Sequence, residues 1–296
     1  MARILLVDAY SQIFRLFHAI PPLSNGQGTP TNALYGMARL LLQLDKEFHA
    51  EYGALVFDCG KCVRRTALLP QYKAQRPPMP EELRCQVPRI RRWAQAFGWR
   101  LLEREGFEAD DLLAAIAARR EGTPVTILTA DKDLGQLVQD GQVQILKPEK
   151  GGRWQTLGER EIQEKHGVPP CQLRDFLALL GDTADNIPGI PGCGPKTAAR
   201  LLQQWGSIDA LLEHLEEMPE GKLKASLREN RERLLQNRDL VQLDDTPPEG
   251  WEGLETLRRH APDWPLLEAL CQEEGIHAFD EELRKHSLPR QLTLGF

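Results

Sequence analysis

Short apolar runs of strand length alternate with helical patterns through the first half of the chain. Ile4 to Val7 before Asp8, Ala54 to Phe57 before Asp58, Val125 to Thr129 before Ala130-Asp131, and Val143 to Leu146 before Lys147 have the character of buried strands. Asn32 to Phe48, Glu81 to Phe97 and Ala109 to Arg119 carry apolar residues at helical spacing between them. That alternation predicts an α/β class, a mostly parallel central sheet flanked by helices. Cys59 to Pro80 fits neither period and contains Pro70 and an RPPMP run, so it reads as an excursion over the mouth of the sheet. After about Gln155 the strand pattern stops. From Glu159 onward the chain reads as mainly helical, broken by a Gly/Pro-rich turn at Gly189 to Pro195 and a loop at Asp244 to Gly250. The predicted division is therefore an α/β core at 1–157 with the excursion at about 59–97, a helical region at 158–286, and a tail at 287–296 following a helix that ends near Lys285.

With 296 residues, 41% of them hydrophobic, the chain can bury the core of one large or two modest domains. No run approaches the roughly 18 apolar residues of a membrane helix. The opening MARILLVDAYSQ enters a strand pattern directly rather than a secretory signal, and the expected setting is the cytoplasm. Six cysteines are too sparse for a disulfide scaffold in a chain this long, which agrees with reduced thiols.

A net charge of −6 argues at first against a polyanionic partner. Its distribution reverses that: Lys61 to Arg104 holds eleven basic residues against three acids, a local +8 that leaves −14 for the rest. A basic field beside acidic clusters is expected of a protein that grips phosphates and coordinates cations close by.

Three predicted strands end in aspartate, at Asp8, Asp58 and Asp131, and in open α/β sheets the strand C-termini line the ligand crevice. Glu108, Asp110 and Asp111 open a helix, where dipole and capping effects alone also favour acids. Asp133 follows Asp131 closely, and Asp182 and Asp185 are spaced to share one face of a turn. Nine converging carboxylates would raise one another's pKa values unless cations neutralise them. Oxygen ligands without His or Cys select Mg²⁺ or Mn²⁺. Two such ions roughly 4 Å apart activate water and stabilise a leaving oxygen, so the set points to phosphodiester hydrolysis. A compact ribonuclease with fewer acids is the alternative within that reading.

VDAYSQIFRLFHAIPPL, VFD, YKAQRPPMP, GFEADDLLA, TADKDLGQLV and ALLGDTADNIPGIPGCGPKTA, in that order from about Ile4 to Trp205, resemble the successive motifs of the 5′ nuclease (flap endonuclease) family. The likeness is to the 5′→3′ exonuclease domain at the N-terminus of bacterial DNA polymerase I and to its stand-alone relatives. It implies a PIN-like nuclease core followed by a helix-hairpin-helix of the helix-three-turn-helix type at about 182–205. It makes Asp8, Asp58, Glu108, Asp110 and Asp111 the ligands of a tighter metal site, and Asp131, Asp133, Asp182 and Asp185 those of a second. Arg15 matches the family's basic residue on the first helix, and Tyr72, Lys73 and Arg76 its arch motif. Lys73 and Arg76 are expected to stabilise charge on the scissile phosphate, and Tyr72 to stack on a terminal base or to pack under its own loop. Gly192, Gly194, Lys196 and Thr197 are expected to bring backbone N–H groups to a duplex phosphate, with a monovalent cation such as K⁺ held by the loop carbonyls.

Cys59 and Cys62 lie outside this pattern and offer only two of the four thiolates of a structural zinc site. The expectation is a monomeric, nucleoid-associated, Mg²⁺-dependent 5′→3′ exonuclease and 5′-flap endonuclease acting on flaps, nicks and RNA primers. The rival is a catalytically impaired DNA-junction module that recruits repair partners. The end of the tail, Gln291-Leu292-Thr293-Leu294-Gly295-Phe296, resembles the bacterial sliding-clamp-binding motif, with Gln291, Leu292, Leu294 and Phe296 as its anchors.

Overall fold

The computed structural model describes residues 3–248, 250–277 and 279–287. The tail residues Gln291, Leu292, Leu294 and Phe296 lie outside that range. In chain order the elements are β1 (Ile4–Asp8), α1 (Ala9–Ala19), α2 (Asn32–Phe48), β2 (Tyr52–Val56), α3 (Val63–Leu68), α4 (Glu81–Arg84), α5 (Val87–Ala96), β3 (Arg100–Leu102), α6 (Ala109–Ala118), β4 (Val125–Leu128), β5 (Val143–Pro148) and β6 (Trp154–Leu157). Helices α7 (Glu159–His166), α8 (Pro170–Leu180), α9 (Pro195–Trp205), α10 (Ile208–Glu213), α11 (Lys222–Glu229), α12 (Arg231–Val241), α13 (Trp264–Glu274) and α14 (Asp280–Ser287) follow.

The strands form one sheet in the order β3-β2-β1-β4-β5-β6, parallel except for the antiparallel edge strand β6. β1 and β2 are buried along their whole length, because helices cover both faces of the sheet. Side chains alternate between two cores. Leu5, Val7, Leu55 and Phe57 pack with α1, α2, α5 and α13, whereas Leu6, Val56, Ile127 and Ile145 pack with α6 and the helical region. In register, Val7 pairs with Leu55 on one side and Leu128 on the other, so the three aspartate-bearing ends emerge together. β1 is the strand at which the winding reverses, the place where such sheets open a crevice.

The helix expected from Glu81 to Phe97 is two helices, α4 and α5. Pro88 removes an N–H at the start of α5, and Gln86, fully buried at the break, accepts the Leu34 N–H at 3.0 Å and donates to Asn32 at 2.9 Å. β3 and β6 are additions to the expected strands. Both are short edge strands that bury little, so their apolar signal is weak. Helical structure begins at Glu159 as expected, but the helical region does not remain apart up to residue 286. From about Leu254 the chain crosses back to the core, where Phe279 meets Trp93 and Phe97 at ring-centroid distances of 5.6 and 6.2 Å. Gly98 takes a left-handed φ of 78° with the His260 carbonyl where a Cβ would stand, so this crossing requires glycine.

Much of the basic block serves this packing rather than a free surface. Arg89 pairs with Glu274, Arg91 with Glu103 and Arg92 with Glu273, while Arg100 and Arg104 donate to the carbonyls of Arg258 and Pro247. The basic field read from the sequence is thus neutralised in part and otherwise tied into packing.

Candidate active site

Asp8 ends β1 and caps α1 at once. Its carboxylate accepts the Ser11 N–H at 3.2 Å and the Thr129 hydroxyl at 2.7 Å. The Thr129 hydroxyl oxygen also accepts the Asp131 N–H at 2.9 Å, and Ser11 Oγ accepts the Ala130 N–H at 3.0 Å, which locks the end of β4 beside the end of β1. Asp58, two residues past β2, accepts the Ala109 N–H at 2.9 Å and so fixes the start of α6, bringing Glu108 and Asp110 to the same mouth. The result is a cleft of about 630 Å³ lined by Asp8, Asp58, Glu108, Asp110 and Asp131, with Lys73 and Arg76 on its wall.

Electrostatics follow from that crowding. Burial, then Asp58 and Asp131, pushes Asp8 up to about 7. Burial and Glu108 raise Asp58; burial, Asp111 and Glu108 carry Asp110 well above the ordinary carboxylate range. Glu108 is the exception: burial acts upward, but the adjacent Lys73 and Arg65 outweigh it and hold it below its usual value. Burial and Asp131 push Asp133 up to about 7, with Asp182 and Asp185 contributing. The second acidic group therefore lies within the field of the first.

Asp131 accepts the Asp133 N–H at 2.9 Å, and Asp133 Oδ1 is buried with no hydrogen-bond partner. Asp182 is paired with Lys132 at 2.7 Å and accepts the Ala184 N–H at 2.8 Å. Burial would raise its pKa, but these contacts win and lower it. Asp185 holds Arg76 and accepts the Tyr72 hydroxyl at 3.3 Å. The excursion thus closes over the mouth of the sheet as expected. Lys73, at a φ of 54°, donates its N–H to the Asp185 carbonyl at 3.1 Å while its ammonium reaches Glu108.

Several expected residues sit differently. Asp111 does not line the cleft: it takes the Arg65 guanidinium in two bonds of 2.7 and 2.8 Å and accepts the Asp244 N–H at 2.8 Å. Tyr72 is 9% exposed, its hydroxyl donating to Glu108 at 3.0 Å and one ring face under the Lys73 ammonium, so in this structure it is packed rather than displayed. Arg15 lines a separate groove of about 840 Å³ with Arg39 and Trp154, because seven residues along α1 carry it away from Asp8. Gly192, at a φ of 78°, and Gly194, with open space where a Cβ would be, form an exposed turn before α9. α9 starts on Pro195, with Lys196 exposed and Thr197 half-buried behind it.

Arg65 is the functional residue that motif reading missed. It is 2% exposed, and besides Asp111 it donates to Glu108, to Asp110 at 3.4 Å and to the Leu240 carbonyl at 2.9 Å, joining the acids to the end of α12. Cys62, Glu108 and Asp111 offer ligand atoms within 4.8 Å of one another, but that space holds the Arg65 guanidinium. Cys59 donates to Glu105 at 3.1 Å, and that bond pushes its thiol up to about 11; burial raises Cys62. These two thiols, one bonded to Glu105 and the other beside Arg65, are only two of the four ligands of a structural zinc site.

The sequence profile of the 5′-3′ exonuclease N-terminal resolvase-like domain matches residues 3–167, and that of the 5′-3′ exonuclease C-terminal SAM fold matches residues 168–264. A 5′-3′ exonuclease of Aquifex aeolicus is 39% identical over 228 residues, 75% of this chain and 78% of that protein. The thermostable DNA polymerase I of Thermus filiformis is 39% identical over 295 residues, 99% of this chain but 33% of the polymerase. The chain thus spans about a third of that relative. In structure, it resembles the bacteriophage T5 D15 flap endonuclease solved with DNA and metal ions, at a TM-score of 0.66 and 22% identity over 96% of this chain and 97% of that one. It also resembles the catalytic core of Rad2 in complex with DNA substrate, at 0.62 and 17% over 97% and 93%. These two likenesses show a shared fold.

Proposed function

Because the chain belongs to the 5′-3′ exonuclease family across residues 3–264, we propose that it is a structure-specific, metal-dependent 5′→3′ exonuclease and 5′-flap endonuclease acting on DNA replication and repair intermediates. The observation that carries this reading is the convergence of Asp8, Asp58, Glu108, Asp110 and Asp131 on one cleft walled by two cations.

The residues suit a divalent ion. The donor set is oxygen alone, buried carboxylates stand against one another, and Asp133 keeps an unpartnered buried oxygen facing no protein donor. Asp8, Asp58, Glu108 and Asp110 would hold Mg²⁺ or Mn²⁺, with Asp131, at the edge of the same cleft, and Asp133, Asp182 and Asp185 toward a second ion. Bound there, such ions supply Lewis acidity and an activated water for phosphodiester hydrolysis. Thr129 and Ser11 keep Asp8 and the Asp131 segment in register. Arg65 holds Glu108 and Asp111 rigidly from behind. Burial alone would favour the neutral amine of Lys73, but Glu108 and Asp185 outweigh it, so Lys73 stays charged and its ammonium meets the phosphate as negative charge grows. Arg76 acts beside it with a fork of donors suited to phosphate. Tyr72, in place of stacking, fastens this segment to Glu108 and Asp185.

The turn of Gly192 and Gly194 with Lys196 and Thr197 takes duplex phosphates without reading bases, which fits recognition by structure, and a K⁺ at its carbonyls fits the same role. Arg15 contacts DNA outside the cleft, in its own groove. Substrates are 5′ flaps, nicks and RNA-primed ends, met by a monomer. The segment Gln291 to Phe296 tethers the protein to a sliding clamp, raising its local concentration at such sites. Deleting it should abolish clamp stimulation and leave cleavage of a free flap unchanged. No described helix is long and apolar enough to cross a membrane. The direct test is cleavage of a 5′-flap duplex in Mg²⁺ and in EDTA. Release of a flap ending in a 3′-hydroxyl, with a new 5′-phosphate left on the duplex, only in Mg²⁺ supports the reading; flap binding without cleavage in either would make the protein a junction-binding module.

A further inference from the structure

While the basic block is largely consumed in packing, another group of cations near the carboxylates is not. Lys147 follows Leu146 at the end of β5. Leu146 pairs with Leu128, and its carbonyl accepts the Thr129 N–H at 3.3 Å, so Lys147 emerges at the same edge of the sheet as Asp131. Lys165 and His166 close α7 nearby, the His166 ring packing edge-on against Phe176 of α8 at 5.6 Å. α8 then runs into Gly181 and Asp182, where Lys132 is bound.

Among the described residues, neither Lys147 nor Lys165 has an acidic partner. α7 uses its own acids locally: Glu161 accepts the Gly158 N–H at 2.8 Å, Glu159 the Asp140 N–H at 3.0 Å, and Glu164 pairs with Arg160 at 2.7 Å. The cations lie within one another's field, since burial and then Lys165 lower the Lys147 pKa. Burial, Lys165, Lys132 and Lys147 likewise lower that of His166. His166 Nε2 is itself buried without a partner. Lys132 is held by Asp182 and also faces Asp133 and Asp131, and Lys147 faces Asp131; the gathered cations, with Lys147 and Lys165 unpaired, favour an anion supplied from outside.

We propose that Lys147, Lys165 and Lys132 form a phosphate-binding subsite that takes a backbone phosphate of the DNA substrate on the far side of the second carboxylate group. The proposal rests on the nuclease reading and assigns to it a contact separate from Lys73 and Arg76 and from the Gly192 turn. Such a contact is blind to sequence and sensitive to salt.

The test is fluorescence anisotropy of the full chain with a labelled 5′-flap duplex in EDTA across a salt series, for wild type, Lys165→Gln, Lys147→Gln and the double variant. Lys165 is exposed, so its replacement serves even if the half-buried Lys147→Gln fails to fold. Arg160→Gln, on the same helix but paired with Glu164, is the control. The double variant is expected to weaken binding at every flap sequence and to reduce the slope of log affinity against log salt by about 1, with Arg160→Gln unchanged. A Lys165→Gln slope equal to wild type, or an equal drop in Arg160→Gln, overturns the subsite while leaving the nuclease reading intact. Absence of flap binding by wild type, together with absence of flap cleavage in Mg²⁺, would instead remove both.

Discussion

Replacing Arg65 by methionine keeps much of the side-chain volume and removes the charge on which the buried acids rest. Arg65 is 2% exposed and its partners Glu108 and Asp111 are 6% and 1% exposed, so solvent cannot take over its role. Its bonds to Asp111 of 2.7 and 2.8 Å, to the Leu240 carbonyl of 2.9 Å and to the Gln242 carbonyl of 3.3 Å tie α3, α6 and α12 together. Breaking a buried pair by removing one partner costs about 3–5 kcal/mol, and here the carboxylates left behind also repel one another. The cost has a pH signature. Without Arg65 the folded-state pKa of Glu108 moves upward and that of Asp110 higher still, because both lose a cation that lowers them. The folded state then binds more protons, and stability present at low pH is lost as pH rises. Urea unfolding of wild type and Arg65→Met should therefore differ by about 3–5 kcal/mol at pH 7.5 and by clearly less at pH 5. A loss below about 1 kcal/mol at pH 7.5, or a loss independent of pH, would show that the acids do not depend on this guanidinium.

Asp110 and Asp111 are neighbours with opposite expected phenotypes: Asp110→Ala should abolish flap cleavage with melting temperature kept or raised, because it removes a crowded cleft carboxylate. Asp111→Ala should lower melting temperature by several degrees through loss of the Arg65 anchor, which differential scanning fluorimetry would read. Lys73→Ala should lower the single-turnover rate at saturating flap by more than about tenfold while changing affinity less, since its charge matters most when the phosphate gains charge; a variant that binds tenfold worse yet turns over normally would make Lys73 a docking residue. With Asp8 and Asp133 pushed up to about 7, the metal-free protein binds more protons folded than unfolded, so its melting temperature should fall as pH rises from about 4 through 7, and Mg²⁺ should restore more at pH 8 than at pH 5.

The legible parts of the fold were those where one residue type serves one environment. β1, β2, β4 and β5 are covered on both faces and read as apolar runs, and α2 spans Asn32–Phe48 as its periodicity predicts. The aspartates at the strand ends were legible because parallel register brings such ends together. What escaped depends on pairing across distance. Arg65 looks like any basic residue until Asp111, Glu108 and the end of α12 close around it. The basic block seemed free because Glu273 and Glu274, which neutralise part of it, lie some 180 residues along the chain, on a helix whose return to the core no local pattern announces. Arg15 follows Asp8 on one helix, yet two further turns of α1 carry it into another groove.

The most direct test of a divalent-cation site at the strand ends is isothermal titration of Mn²⁺ and Mg²⁺ into the full chain, beside Asp8→Asn and Asp110→Asn. Saturable binding by wild type, weakened by at least about tenfold in each variant while both remain folded, is the predicted result. Isotherms unchanged by either substitution, or no saturable binding by wild type, would contradict it.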